Sequence, residues 1–543
     1  MAKSISLLDQ ETSVENADNF VFADVSAGRD KRITSKDLRF ALGVAEFDAS
    51  TETNITFFGA IGDGSKINDT EIADAISATV NKGGGVVRMP AGTYLVNGTI
   101  NVPAGVALVG SSFNTVLKLS DAAAETAAVL NISENTDGVY IGQIQLDGNK
   151  QRSGEDFNGA AEGIDVAAGA KNVFISDVII KNCLGEGIDI DACDNVNINN
   201  VKIFNCGGNG LHVSDDAAFN VNATNIYIEN CATGRITGDP GRFGGLVVRG
   251  KNHNYSNIII TECPRGVSVD GQNTENIQFT NVNITEFQDS NGIRLYGASK
   301  NVRFTNTYIY TSKVSPQPAI FTTNTTSEYY IEAYVEMVNT PATSGVVLQG
   351  SGVLNNLTFI GTGASSVMVE VTGIHDIFGG KVEGGNRCIN FGNGSQGSTI
   401  RGTRVFCDEG TAPRTIRIPD SSGEIRIDGV ISAGTSLEIL GDDNVIINCD
   451  IQAGLNNTGS NNRIQNNTGY ITENRGVATI SSASLSVTVA HGLSQTPTIV
   501  TVSSNANELV WVSGKFSSDI TISRETTGEE IEVYWMAGRP PIQ

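Results

Sequence analysis

The chain has 543 residues, of which 61 are glycine and only 6% are aromatic, a composition that favours many short strands joined by turns over a helical protein. Its formal net charge of −23 disfavours binding to nucleic acid or to an anionic membrane surface. No uncharged apolar run is long enough to cross a bilayer, and the first residues lack the pattern of an export signal, so we expect a soluble protein without membrane insertion.

The first element that the sequence predicts is a short helix. Residues 71–80 carry apolar side chains at helical spacing, and Asn68 or Asp69 is placed to cap their N-terminal end. A helix laid over the open end of a sheet covers strand edges that otherwise promote aggregation. We therefore expect a capping helix ahead of the main fold.

A repeated segment occupies most of the remaining chain. Each repeat begins with a glycine and a short alternating apolar–polar run, followed by an asparagine-rich turn and a second alternating run. This pattern, with starts mostly 21 to 26 residues apart and one interval of 35, predicts the stacked coils of a β-solenoid. The clearest repeats start at Gly163, Gly187, Gly210, Gly245, Gly266 and Gly292.

Cysteine and asparagine follow the same repeat. Four of the eight cysteines recur about once per repeat without the paired spacing of a zinc site. We expect buried free thiols, which indicates assembly in a reducing cytoplasm, and an asparagine ladder at the corner that precedes them. The residues are Cys183, Cys206, Cys231 and Cys263, with Asn182, Asn205 and Asn230 before the first three.

The region before the repeats resembles a known superfamily. Its ordered motifs are Gly59-Ala-x-Gly-Asp-Gly, Asn68-Asp-Thr, Gly83-Gly-Gly-x-Val and Pro90-Ala-Gly-x-Tyr. With the repeats they resemble the pectate-lyase-like superfamily, in the form found in bacteriophage tailspikes and depolymerases. The resemblance implies an all-β, right-handed parallel β-helix, usually a homotrimer, which binds and cuts a bacterial surface polysaccharide such as capsule, O-antigen or exopolysaccharide.

The same resemblance divides the chain into three parts. Residues 1–53 resemble the virion-docking segment that attaches such proteins to the phage tail or baseplate. Residues 54–472 form the β-helix that binds receptor and carries catalysis. Residues 473–543 resemble a small C-terminal β-sandwich-like domain that trimerises or binds glycan. We expect a virion protein that is assembled in the host cytoplasm and acts at the bacterial cell surface.

Outward-facing residues of the repeats predict the site. Alternate residues of each short strand point inward, so the intervening residues line the outer face. The stacked coils then place carboxylates, a histidine, arginines and a tyrosine in two columns, a composition typical of a sugar-binding groove. The columns read Asp165, Asp189, His212, Val247, Ser268 and Arg294, and Ala167, Asp191, Ser214, Arg249, Asp270 and Tyr296.

Spacing selects the candidate catalytic residues. Asp189 and Asp191 are expected roughly 6.6 Å apart, and Asp165 and Asp189 roughly 4.8 Å apart. Inverting glycosidases place two carboxyls roughly 6.5–9.5 Å apart, and retaining ones about 5–5.5 Å apart. Carboxylates this close repel, so one is expected to have a raised pKa and to act as an acid. We predict an endo-acting glycoside hydrolase that uses Asp189 and Asp191, with Asp165 or Asp215 able to replace either.

The same face also resembles, in part, that of the polygalacturonases. Asp189 and Asp191 match the acidic motif, His212 the histidine motif and Arg249-Gly-Lys251 the basic motif, although the literal Asn-Thr-Asp and Gly-His-Gly sequences are absent. An insertion at 232–243 with Arg235, Asp239 and Arg242 either overhangs this face or is a plain surface loop. We expect no metal and no cofactor. The predicted substrate contacts are Glu186, His212, Arg249, Lys251, Asp270, Arg294 and Tyr296.

Two other functions remain open. A polysaccharide lyase on the same fold would need a uronate substrate and an Arg, Lys or His base, often with Ca²⁺. A receptor-binding tail fibre would bind glycan without cutting it. The active site could also lie between neighbouring chains, in which case these columns would form only part of it.

Overall fold

The structure, a computed structural model, describes most of the chain. The described residues are 19–24, 29–34 and 52–538, apart from 154–160, 234–243, 288–289, 314–316, 324–325, 327, 339–343, 362–366, 408–413, 435, 453 and 471. Strands Asn19–Asp24 and Arg29–Thr34 pair as an antiparallel hairpin in the expected docking segment. No helix among the described residues is long and apolar enough to cross a membrane.

The predicted capping helix, α1, spans Asp69–Asn81. Asn68 occupies its N-cap position, but the side chain bonds to the preceding turn, accepting from the Ile61 amide at 2.8 Å. The carboxylate of Asp69 accepts hydrogen bonds from the backbone amides of Asn97 and Gly98, which ties the helix to the first coils. Short 3₁₀ turns lie at Ile55–Phe58 and Lys150–Arg152. The buried face of the helix consists of Ile72, Ala75, Ile76 and Thr79.

A right-handed parallel β-helix forms the body of the protein, as the repeats predict. One wall, which we call sheet A, has fifteen parallel strands, one from each successive coil. Its strands are Ile100–Val102, Leu130–Ile132, Ile164–Val166, Ile188–Ile190, Leu211–Val213, Leu246–Val248, Val267–Val269, Ile293–Leu295, Ile320–Thr322, Ser344–Leu348, Val367–Val371, Arg387–Phe391, Arg414–Ile418, Leu437–Ile439 and Leu455–Asn457.

The remaining strands of the coils pair in parallel to form the rest of the wall, which we call sheet B. Its strands are Thr53–Asn54, Asp63–Ile67, Gly85–Met89, Gly92–Val96, Val106–Gly110, Thr115–Leu119, Asp137–Asp147, Lys171–Lys181, Asp194–Phe204, Phe219–Glu229, Lys251–Thr261, Glu275–Thr285, Lys300–Thr311, Tyr329–Met337, Ser351–Asn355, Thr358–Gly361, Ile374–Phe378, Lys381–Glu383, Thr399–Arg401, Arg404–Phe406, Arg426–Asp428, Ile431–Ala433, Val445–Ile447, Asp450–Ile451 and Arg463–Gln465.

Left-handed residues turn the corners of the coils. Asn195, Asn200 and Asn205 all have φ between 53° and 59°, a region that asparagine tolerates better than most residues. Their side chains bond to the coil above, as when Asn205 Nδ2 donates to Asn182 Oδ1 at 2.6 Å. Equivalent contacts recur at two further corners, so the structure has three asparagine ladders where the sequence predicts one. Examples are Asn195–Asn172, Asn301–Asn276, Asn257–Asn225 and Asn306–Asn281.

The coils enclose one continuous apolar core that runs from Ile55 to Tyr470. The two inward residues of each short strand, such as Ile188 and Ile190, are fully buried. All eight cysteines are buried free thiols, which confirms the expectation for the cysteine series. The core is therefore aliphatic over most of its length.

Two three-stranded antiparallel sheets follow the β-helix and share a second core that includes Trp535. This arrangement agrees with the predicted small C-terminal β-domain, while its role stays a prediction. The strands are Glu473–Ile480, Ile531–Gly538 and Ile499–Ser504 in one sheet, and Ser486–Ala490, Asp519–Arg524 and Val510–Lys515 in the other.

Candidate functional site

The middle residue of each short strand of sheet A faces outward. Asp165 pairs in register with Asp189, and Asp189 pairs with His212. Val247, Ser268 and Arg294 follow in the same column. The order of the first predicted column is therefore confirmed. It results from three-residue strands whose flanking apolar residues are fixed in the core.

The second column begins just after each short strand. The Asp191 amide donates to the Val166 carbonyl, and the Ser214 amide donates to the Ile190 carbonyl, so these residues also stack from coil to coil. Ser214 Oγ donates to Asp191 Oδ1 at 2.8 Å. This hydrogen bond holds the Asp191 carboxyl group against the next coil.

A third column lies just before the glycine that begins each repeat. The Gly163 amide donates to the Glu186 carbonyl, and the Gly187 amide donates to the Asn209 carbonyl, so Glu162, Glu186 and Asn209 stack. A side chain at Gly187 would clash with Ile203 and the Gly210 carbonyl, which explains the glycine. Glu186 is among the residues predicted from the sequence and Glu162 is not, although both belong to a Glu-Gly dipeptide that recurs in two successive repeats.

Five carboxyl groups therefore lie on two adjacent coils. Glu162 and Glu186 are only 6% and 5% exposed, and Oε2 of Glu186 has no hydrogen-bond partner. The three aspartates are more accessible and face outward. We call this group the acidic cluster: Glu162, Asp165, Glu186, Asp189 and Asp191.

Burial and mutual repulsion make part of the acidic cluster retain protons. Burial, followed by the charges of Asp165, Glu186 and Asp189, raises the pKa of Glu162 to about 8. Burial and then Asp189 raise the pKa of Asp165 to about 6. Burial is also the main reason that the pKa of Glu186 rises to about 7, with the charge of His212 acting in the opposite direction. These three carboxyl groups therefore bind a proton at higher pH than an ordinary aspartate or glutamate does.

His212 extends the acidic cluster toward the next coil. Its Nδ1 atom lies 3.0 Å from Asp189 Oδ1, and both side chains are about one-fifth exposed. Burial opposes the protonated imidazole, but the contact with Asp189 and the charges of Asp189 and Glu186 outweigh it, so the pKa of His212 is raised. The contact with Asp189 therefore favours the protonated imidazole of His212.

Some of the predicted basic and aromatic residues lie together on one face, and others do not. Arg249 Nε donates to Asp270 Oδ1 at 2.6 Å, and the Arg294 guanidinium lies 4.3 Å from the centre of the Tyr296 ring. All four belong to the outer face of sheet A. Two predicted residues do not join them. Lys251 lies around the corner at the start of a sheet B strand.

Lys251 pairs with Glu275 at 3.1 Å, so the predicted Arg-x-Lys motif does not present both basic groups to one surface. Asp215 is exposed and its carboxylate accepts from the Ala217 amide at 2.7 Å, a turn contact outside the acidic cluster. The insertion residues Arg235, Asp239 and Arg242 lie outside the described residues. Among the described residues, no group of His, Cys, Asp and Glu has the arrangement of a metal site.

Comparisons with known proteins agree with this architecture. Residues 52–293 match the family model described as rhamnogalacturonase A/epimerase, pectate lyase-like. The solved tailspike protein of E. coli bacteriophage HK620, in complex with a pentasaccharide, has a TM-score of 0.53 with 11% identity, covering 96% of this chain and 97% of that one. A mutant of that tailspike, also with pentasaccharide, gives a TM-score of 0.52 over the same shares.

One curated protein shares part of the sequence. Mannuronan C5-epimerase AlgE1 of Azotobacter vinelandii is 31% identical over 151 residues, which is 25% of this chain and 11% of the epimerase. The fold and site together define a right-handed parallel β-helix protein with an acidic, outward-facing site. More particularly, residues 52–293 are similar to the pectate-lyase-like family model, and the overall fold is similar to that of the HK620 tailspike.

Proposed function

We propose that the protein is a phage tailspike that binds a bacterial surface polysaccharide and depolymerises it by hydrolysis. The observation that carries this proposal is the acidic cluster beside His212, on the outer face of a continuous parallel sheet. A long polymer can lie along such a face, and carboxyl groups there can bind sugar hydroxyls and transfer protons. Capsule, O-antigen and exopolysaccharide remain the candidate substrates.

The chemistry needs one protonated and one ionised carboxyl group near the glycosidic bond. The acid protonates the leaving oxygen, and the ionised group activates water or attacks the sugar. Within the acidic cluster, Asp165, Asp189 and Asp191 face outward and are the candidates for these roles. The sequence-based pair Asp189/Asp191 lies on one coil and remains a prediction.

The relatives support a carbohydrate substrate. The HK620 tailspike was solved with a bound pentasaccharide, and the matched family and curated protein carry names of enzymes that act on polysaccharides. By analogy with tail proteins, we propose that residues 1–53 attach to the phage tail or baseplate and that three chains assemble. The protein would then be part of the virion and act at the host surface.

Elimination or epimerisation at a uronate is the second candidate. The descriptions of the matched family and the curated protein both name an epimerase, and His212 with Arg249 would supply a base and a cation. The carboxyl groups of the acidic cluster that are ionised disfavour this reaction because they repel a uronate. Hydrolysis of a sugar that is uncharged at the cleaved bond fits the site better.

Purified capsular polysaccharides and O-antigens from candidate host strains test the proposal. Each is incubated with the wild-type protein, with Asp189→Asn and Asp191→Asn, and with Glu370→Gln as a control on the same sheet. Mass spectrometry and size-exclusion chromatography then measure the fragments. We expect repeat-unit oligomers that carry one added water, lost in the aspartate variants and retained in the control.

Other outcomes would replace the proposal. Unsaturated fragments that absorb in the ultraviolet would indicate a lyase. Binding to a polysaccharide whose size never changes would indicate a receptor-binding fibre. Unchanged cleavage by both aspartate variants would place the reaction elsewhere, including a site between chains.

A further inference from the structure

The three outward-facing aspartates of the acidic cluster have different hydrogen-bond environments. Asp189 Oδ1 accepts from the Ile190 amide at 3.1 Å and lies beside His212, and Asp191 Oδ1 accepts from Ser214. Each of these two carboxyl groups is therefore positioned by contacts with its neighbours. The carboxyl group of Asp165 accepts no hydrogen bond from any residue that the structure describes. Asp165 therefore lacks the hydrogen bonds that the other two carboxyl groups accept.

The surroundings of Asp165 act in the same direction. Asp189 lies directly opposite it on the next coil, and the charges of Asp189 and Asp191 both disfavour its ionisation. Glu186, one column away, is 5% exposed, and its buried Oε2 atom has no hydrogen-bond partner. Such a buried, unsatisfied oxygen is costly unless it is protonated or meets a ligand group.

We propose that Asp165 is the proton donor of the hydrolysis, that Asp191 activates the water, and that Asp189 with His212 is a positioning pair between them. This assignment rests on the proposed function and refines it, because it moves the acid from the sequence-based pair to the preceding coil. Asp165 and Asp191 are diagonal neighbours, one coil and two residues apart, which places them roughly 8 Å from each other. That separation leaves room for a water molecule beside the cleaved bond.

In the proposed step, one water molecule adds across the glycosidic bond. Asp165 transfers its proton to the glycosidic oxygen while the bond from that oxygen to the anomeric carbon breaks. The oxygen of the water bonds to the anomeric carbon, and Asp191 accepts the proton that the water loses. Solvent then exchanges a proton from Asp191 back to Asp165, so the net change is the addition of one water across the bond.

Two of the buried groups would support this cycle. Glu162 and Glu186 carry raised pKa values and flank Asp165 and Asp189. As neutral acids they add little negative charge to a site that already holds Asp189 and Asp191.

The test compares Asp165→Asn with Asp189→Asn and with Glu370→Gln, roughly 38 Å away along the same sheet. The probe is whichever purified capsular polysaccharide or O-antigen the wild-type protein shortens, and the readout is the release of reducing ends across pH. We expect Asp165→Asn to lose about 10²- to 10⁴-fold in kcat with binding retained. The wild-type decline in rate above pH 6 should be absent from its residual activity.

A second measurement needs no substrate. Infrared difference spectra recorded between pH 5 and pH 7.5 should show a protonated carboxyl band in the wild-type protein and in Glu370→Gln. We expect the component that titrates near the pKa of Asp165, about 6, to be missing in Asp165→Asn. Far-ultraviolet circular dichroism and the thermal transition establish that each variant is folded.

The two proposals fail in distinguishable ways. If the wild-type protein cleaves and Asp165→Asn retains its rate within about twofold, the assignment of the proton donor is wrong while hydrolysis stands. If the infrared band is the same in wild type and Asp165→Asn, the assignment is also wrong. If the wild-type protein binds a polysaccharide and never shortens it, the proposed function fails and the assignment fails with it.

Discussion

Glu162 shows how a single buried carboxyl links the site to the stability of the fold. In the unfolded chain this group has an ordinary glutamate pKa, whereas in the folded chain burial and neighbouring carboxyls raise the pKa to about 8. The folded protein therefore binds more protons than the unfolded protein between about pH 4.5 and pH 8. Linkage then requires that the contribution of Glu162 to the free energy of unfolding falls as the pH rises through this window.

We expect Glu162→Gln to remove that pH dependence. The amide has nearly the same shape and cannot ionise, so the variant should be more stable than wild type above pH 8, by at least about 1.4 kcal/mol. Near pH 4.5 the two proteins should differ little. Chemical denaturation at both pH values measures the change, with Glu370→Gln as a control. Equal stability of Glu162→Gln and wild type at both pH values would contradict the expected burial of this carboxyl.

The positions of site residues on strands can be predicted from the sequence, whereas those of site residues at corners cannot. Asp165, Asp189 and His212 follow from strand periodicity, because the intervening apolar residues must enter the core. Glu162 and Lys251 lie at corners of the coils, where the two-residue alternation of inward and outward side chains breaks. The direction of a corner side chain depends on backbone angles that the sequence pattern does not specify. Hydrogen bonds such as Ser214–Asp191 likewise require the stacked coils.

The corners of the coils are built by a recurring type of residue. Each turn of the coil uses left-handed residues, and asparagine supplies both that conformation and a side chain that bonds to its neighbour above. Asparagines five residues apart, as at Asn195, Asn200 and Asn205, are visible in the sequence. The sequence predicts a ladder only for the member of this set that precedes a cysteine, Asn205. The other two corners could not be separated from ordinary polar strand positions because they fall within eleven-residue strands.

Substitutions at Asn205 separate the two contributions of a corner residue. Asn205→Ala loses the bond to Asn182 and also places an alanine at φ 59°, so we expect a loss of about 2–3 kcal/mol in the free energy of unfolding. Asn205→Gly loses the bond but adopts this conformation readily, so its loss should be smaller, about 1 kcal/mol. Urea denaturation of both variants and wild type measures the difference. If glycine were as destabilising as alanine, backbone strain would not be a factor at this corner.

Over the whole molecule, stability should vary along the helical axis. In a solenoid each coil contacts only its neighbours, so stability is approximately a sum of coil and interface contributions. Seven successive sheet B strands, from Asp137–Asp147 to Lys300–Thr311, have eleven or twelve residues and pair along nearly their whole length. Beyond Ser351 the sheet B strands shorten to between two and five residues. The interfaces between the later coils therefore contain fewer hydrogen bonds.

We expect native-state hydrogen exchange to follow this gradient. Backbone amides between residues 137 and 311 should be the most protected, and protection should decrease toward Arg463–Gln465 because short interfaces open at lower cost. Mass spectrometry of peptides from the intact protein measures the rates, and the denatured chain supplies the reference. Protection in 426–465 equal to that in 137–311 would mean that contacts outside the parallel ladder stabilise the later coils. If the gradient holds, the acidic cluster lies in the most stable part of the β-helix, where neighbouring coils keep its carboxyls at fixed spacing.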